Sequence, residues 1–169
     1  MGEKKFFVII AVVTLVIFLG GIVLVSSSSS TTLTTPQVAP SQNAKAETQD
    51  STSFDFGNII YSDPKATKVF AIKNTGTETL KLFNVKTSCH CTKANVTIEG
   101  SVSPDFGMSG LSDWVGDVPA GKEAKVTAIF DQTYHGPQGV GPVTRFVSVE
   151  TNDKGTPKIT FTLTGVVAK

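Results

Sequence analysis

Apolar and polar positions fall into three regimes along the chain. Residues 6–25 form an uncharged run in which only Thr14, Gly20 and Gly21 interrupt large or methyl-bearing apolar side chains. A helix rises about 1.5 Å per residue, so such a run crosses roughly 30 Å, the thickness of a bilayer's hydrocarbon core. The pattern predicts one transmembrane helix. Lys4 and Lys5 precede it, which sets the N-terminus in the cytoplasm and everything after Val25 outside. A cleaved signal peptide ending in the serines from Ser26 to Ser30 is the rival, and the length of the run favours an uncleaved anchor. No cysteine follows the run, so no lipid attachment is expected there. Residues 26–53 are dominated by Ser, Thr, Pro, Gln and Ala, with too few large apolar side chains to build a core. That composition predicts a disordered linker holding the next domain off the membrane.

From Phe54 the pattern changes to short apolar runs separated by turn residues, which predicts an all-β sandwich of about seven strands. Phe70 and Ile72 share one face of a strand that ends in the turn Asn74-Thr75-Gly76-Thr77. The next run sets Leu80 and Leu82 on one phase and Phe83 and Val85 on the other, so it carries a bulge near Leu82 or is buried on both faces. A weaker strand over residues 93–98 follows, then a long loop over 99–116 with Pro104 and Trp114. Pro119-Ala120-Gly121 turns the chain into a strand with Val126, Ala128 and Phe130 inward. Residues 134–142, with three glycines and two prolines, predict a loop. Val147 and Val149 mark another strand. Ile159, Phe161 and Leu163 alternate with Lys158, Thr160, Thr162 and Thr164 in the clearest one. No stretch after Val25 has the period of an amphipathic helix.

The landmarks FDFG (from Phe54), FAIKNTG (from Phe70), SCHCT (from Ser88), the turn at Pro119, TND (from Thr151) and LTG (from Leu163) stand in an order that resembles a bacterial family. That family is domain-of-unknown-function family 1573, immunoglobulin-like and related to the hydin-like (ASH) domains. The likeness runs from Phe54 to Val167. His90 stands where the family pattern has glycine, Ala120 departs from it too, and residues 100–118 look like an insertion. The family's role is undefined, so the resemblance implies an extracytoplasmic Ig-like sandwich and no substrate.

Charge removes one class of partner. From Thr52 onward twelve Lys/Arg face eleven Asp/Glu, so nothing favours nucleic acid. The sharp chemistry is confined to Cys89-His90-Cys91, the only two cysteines with one of two histidines. Three readings stay open. In a strand Cys89 and Cys91 share a face and their thiolates can clamp Cu(I) or Zn(II), with Met108 and His135 as further ligands; His90 joins them only if the motif is a turn. A Cys89–Cys91 disulfide suits an oxidising exterior but requires the chain to bend, because a straight strand holds the Cβ atoms too far apart; unstrained it is structural, and strained it is easily reduced and takes a redox role. The plainest reading makes both cysteines small core residues. His135 by itself reads as a solvated loop histidine, and Trp114 as a core residue.

The sequence therefore describes a single-pass cell-membrane protein: cytoplasmic tip and anchor (residues 1–25), linker (26–53) and Ig-like β-sandwich (54–169). It reads as a non-enzymatic binding or scaffolding module without cofactor, its partner an envelope protein or a glycan. The competing class is a copper- or zinc-binding or thiol-redox protein centred on Cys89 and Cys91.

Overall fold

The computed structural model describes Gly2 and residues 9–15, 36–109 and 112–169. The chain divides into two units, Met1–Thr32 and Leu33–Lys169. In the first, residues 9–15 are helical. Among the described residues no helix is long and apolar enough to cross a membrane. The rest of the predicted span, residues 6–25, lies outside them.

The described residues of the second unit form ten strands where about seven were expected: β1 (Ala46–Thr48), β2 (Ser53–Ile60), β3 (Ala66–Asn74), β4 (Leu80–Thr87), β5 (Thr92–Ile98), β6 (Ser101–Val102), β7 (Val115–Val118), β8 (Glu123–Phe130), β9 (Gly141–Thr151) and β10 (Lys158–Ala168). They form two five-stranded sheets, in the orders β1-β3-β8-β5-β6 and β2-β10-β9-β4-β7. Neighbouring strands are antiparallel except β2, which lies parallel to β10 at the sheet edge. Its register with β10 shifts between Thr164 and Val166, where Gly165 faces the Gly57 carbonyl so closely that a Cβ would stand 3.1 Å from it. The FDFG and LTG motifs thus meet in one irregularity of the sheet.

Alternation delivers the core as expected. Ile159, Phe161 and Leu163 of β10 are buried with Phe70, Ile72, Leu80, Leu82, Val126, Val147 and Val149, and the Phe70 and Phe161 rings stack at 4.3 Å. The double-phased run is a bulge. The β4–β9 register breaks between Phe83 and Lys86, Asn84 takes φ 48°, and both Leu82 and Val85 are buried. Trp114 is half-buried against the Phe106 ring at 5.3 Å, in the core as read.

Three expectations are corrected. Residues 41–53 are not all linker: Ala44 is fully buried, β1 pairs with β3, and the Ser41 amide donates to the Asn152 carbonyl at 2.7 Å. Small side chains and backbone hydrogen bonds anchor this segment, and neither leaves an apolar pattern. Residues 99–116 are not structureless: β6, the start of β7 and the mutual Ala94–Phe106 backbone bonds tie them down. Finally, the cysteine motif is not in a strand. It is the turn between β4 and β5, where the chain leaves one sheet for the other.

Candidate functional site at the cysteine turn

One end of the sandwich gathers the turn before β3, the cysteine turn, the segment between β8 and β9, and the end of β10. A small second core closes it: Ile59, Cys91, Phe130 and Val167, with Phe56, Tyr61, Ala66, Cys89 and Val143 partly buried around them.

The turn is built by its own backbone. The Thr92 amide donates to the Cys89 carbonyl at 3.1 Å, closing four residues. The Thr87 hydroxyl makes 3.0 Å contacts with the carbonyls of Cys89 and Thr92, bracketing the turn from below. Ser88 is pinned to β9, its amide donating to the Phe146 carbonyl at 3.0 Å and its hydroxyl accepting from the Phe146 amide at 2.9 Å. The Asp131 amide donates to the Cys91 carbonyl at 2.8 Å, extending the β5–β8 ladder by one rung.

This bend brings the two Cα atoms to 5.2 Å, and Cys89 and Cys91 are joined by a disulfide. The reading that needed a bent chain is the one the structure takes. The two sulfurs sit in different surroundings. Cys91 is 1% exposed, and its Sγ accepts a hydrogen bond from Arg145 Nε at 3.0 Å. Cys89 is only half-buried and accepts from the Cys91 amide at 3.2 Å. His135 Nε2 stands 3.7 Å from Cys89 Sγ.

His135 reaches that place from the end of β8. Asp131 Oδ1 accepts from the Thr133 amide at 3.0 Å and from its hydroxyl at 2.6 Å, and the Gly136 amide donates to the Thr133 carbonyl at 2.9 Å. A 3₁₀ turn, Gly136–Gly139, follows, and Gly139 comes so close that a Cβ there would stand 2.9 Å from the His135 Cβ. Lys65, 2.8 Å from Asp131 Oδ2, and then Thr133 hold the Asp131 carboxyl below its ordinary range, so this brace stays ionised at neutral pH. Tyr134 packs edge-on to His135 with the ring centroids 5.1 Å apart.

The ligand atoms of Cys89, Cys91 and His135 lie within 4.8 Å of one another. His90 is exposed and does not belong to the group, and Met108 is 45% exposed in its loop. With the sulfur–sulfur bond formed neither cysteine is a thiolate, so the three donors make a soft-metal set only after reduction. Sequence reasoning named both cysteines and His135, and missed Arg145. A lone arginine in an alternating strand carries no local signal of the sulfur it meets 54 positions away.

Two sheets packed face to face, with a cystine turn at the crossover, define an Ig-like β-sandwich. Residues 47–105 match the family described as "Protein of unknown function (DUF1573)", so the resemblance carried by the motifs is shown over that stretch. The match begins inside β1, ahead of the boundary that hydropathy suggests. A protein of unknown function from Porphyromonas gingivalis W83 is similar in structure, with TM-score 0.55 and 17% identity over 78% of this chain. The match covers 50% of that protein, about half its length. The ASH/PapD-like domain 7 of human CEP192 aligns with TM-score 0.45 and 19% identity, over 83% of this chain and 96% of that domain. No curated protein matches the sequence.

Proposed function

We propose that the chain is a single-pass membrane protein whose N-terminus is cytoplasmic and whose Ig-like domain works outside the cell membrane as a binding or scaffolding module. Its partner is an envelope protein or a glycan, and it needs no cofactor. The observation that carries this reading is the Cys89–Cys91 disulfide, because such bonds persist in oxidising, extracytoplasmic compartments. The uncharged run over residues 6–25 behind Lys4 and Lys5 supports the anchor. Tyr134, Val140 and Phe146, each more than two-fifths exposed, offer apolar side chains for contact on the segment from the end of β8 into β9.

Protease added to intact cells should degrade the sandwich and spare an N-terminal tag. A mature chain beginning near Ser27 to Ser30 would replace the anchor by a cleaved signal. For the binding role, a photo-crosslinking side chain at Phe146 should give a discrete envelope adduct, while one at Val69, exposed on the other sheet, should not. Equal labelling from both positions would overturn a defined contact face.

The grouping of Cys89, Cys91 and His135 favours a second reading, thiol-redox chemistry or copper or zinc binding by the reduced pair. Metal content of the protein prepared with and without reductant tests the metal arm; Cu(I) or Zn(II) uptake confined to the reduced form supports it.

A further inference from the structure

We propose that the Cys89–Cys91 disulfide is a thiol–disulfide exchange site of fixed polarity: a dithiol peptide attacks Cys89 Sγ, and Cys91 leaves as a thiolate held by Arg145. This rests on the thiol reading of the cysteine turn and is independent of the sandwich's binding partner. The asymmetry of the two sulfurs carries it. Cys89 is reachable from solvent, whereas Cys91 is 1% exposed and lies in the small core with Phe130 and Val167. An incoming thiolate can therefore approach only Cys89, and the sulfur it displaces is Cys91.

The displaced sulfur already has a cation on it. Arg145 Nε donates to Cys91 Sγ at 3.0 Å, and the guanidinium is fixed by its Nη1 bond to the Thr144 carbonyl at 2.8 Å and by the Phe130 ring 5.5 Å from its central carbon. Among the described residues no carboxylate pairs with Arg145. An arginine keeps its charge at any working pH, so a thiolate formed here gains a charge-assisted hydrogen bond that the disulfide sulfur lacks. Exchange is faster the more stable the leaving thiolate. The turn itself does not depend on the sulfur bond, since the Thr92 amide and the Thr87 hydroxyl hold it through backbone carbonyls. Cys89 therefore stays at the surface, and Cys91 beside Arg145, after the bond opens.

In the first step a substrate thiolate bonds to Cys89 Sγ, the bond between the two Sγ atoms breaks, and its electron pair goes to Cys91. In the second, the substrate's other thiolate attacks the substrate sulfur of the mixed disulfide and expels the Cys89 thiolate. The substrate dithiol is oxidised to a disulfide by two electrons and Cys89 and Cys91 are reduced by the same two; of the two thiol protons one passes to the Cys89 sulfur and the other to solvent, leaving Cys91 as the thiolate beside Arg145.

The test uses the full chain in detergent micelles with dithiothreitol as the dithiol probe, counting alkylatable thiols with time. Native chain should open without unfolding. Arg145→Gln should slow opening by about tenfold, the size of one charge-assisted hydrogen bond, with Arg145→Lys recovering part of the rate. The fold of each variant is checked by circular dichroism, and the equilibrium with glutathione should shift toward the oxidised form in Arg145→Gln. In a second arm, oxidised glutathione should modify Cys89 in Cys91→Ser and leave Cys91 free in Cys89→Ser. If the native disulfide resists dithiothreitol while the urea-unfolded chain is reduced, the thiol reading itself is wrong. If it opens but Cys91 is the sulfur modified, or Arg145→Gln opens at the native rate, the polarity is overturned and the thiol reading survives.

Discussion

Asn74 and Asp153 show how single buried polar side chains organise this fold. Asn74 has no exposed surface; its Nδ2 donates to the Glu78 and Val118 carbonyls at 2.8 and 2.9 Å, and its Oδ1 accepts from the Gly76 amide at 3.0 Å. Asp153, 2% exposed, accepts from the Ala46 and Gly155 amides at 2.9 and 2.8 Å. Burial pushes its carboxyl up, but those amides, the Lys45 ammonium at 3.7 Å and the Thr156 amide together outweigh it, leaving the group below the ordinary range. Because the folded-state value lies below the unfolded one of about 3.9, Asp153 stabilises the fold above that pH, and the contribution is lost as pH falls through the folded value. The melting temperature should therefore drop on acidification below about pH 4, and Asp153→Asn should reduce the drop. Asp131 and Glu78, also lowered by their hydrogen-bond partners, keep part of the slope in that variant. Phe161→Ala should cost about 3 to 5 kcal/mol in urea unfolding, since it removes one of the two stacked rings at the centre.

At the scale of elements, β1 is the instructive case. It pairs with β3 over only three residues, yet it is locked from several sides: Asn43 and Lys45 carbonyls accept from the Thr77 and Thr75 amides at 2.9 and 3.0 Å. A Cβ at Gly76 would run into the Asn43 carbonyl, so this turn and the strap must be glycine-close. A chain starting at residue 36 should melt as the full chain does, whereas one starting at residue 54 should melt markedly lower. Gly76→Ala should cost about 1 to 3 kcal/mol in the former and almost nothing in the latter, where the clashing carbonyl is gone. Hydropathy could not place this strap, because SQNAKAET offers the core only two small side chains, Ala44 and Ala46, and docks otherwise through polar and backbone groups. The turn at Asn74 to Thr77 was legible and TND stood out as a motif; that both also receive the strap was not.

Across the whole molecule, a large core between the sheets is capped at one end by the small core containing Cys91. The disulfide closes a loop of only a few residues, so it contributes little to overall stability. Reduction should leave the sheet signal in circular dichroism intact and cost about 1.5 kcal/mol by chain-entropy reasoning. Loss of the fold on reduction would mean that the small core depends on the bond. The strong alternation of β8 and β10 made the sandwich readable, while the strand count was underestimated because β1, β6 and β7 are short and hold their places by pairing.

What the sequence determined by itself was the period-two pattern, the turn residues and the adjacency of the two cysteines, all local quantities set by side-chain direction along a strand and by backbone preference at glycine and asparagine. Only the tertiary structure decided the bend at Cys89-His90-Cys91, which depends on the chain crossing between sheets there, and with it the exclusion of His90 from the site. It alone brought His135 and Arg145 to the two sulfurs, because loop conformation and cross-sheet contacts are fixed by packing between residues far apart in the chain.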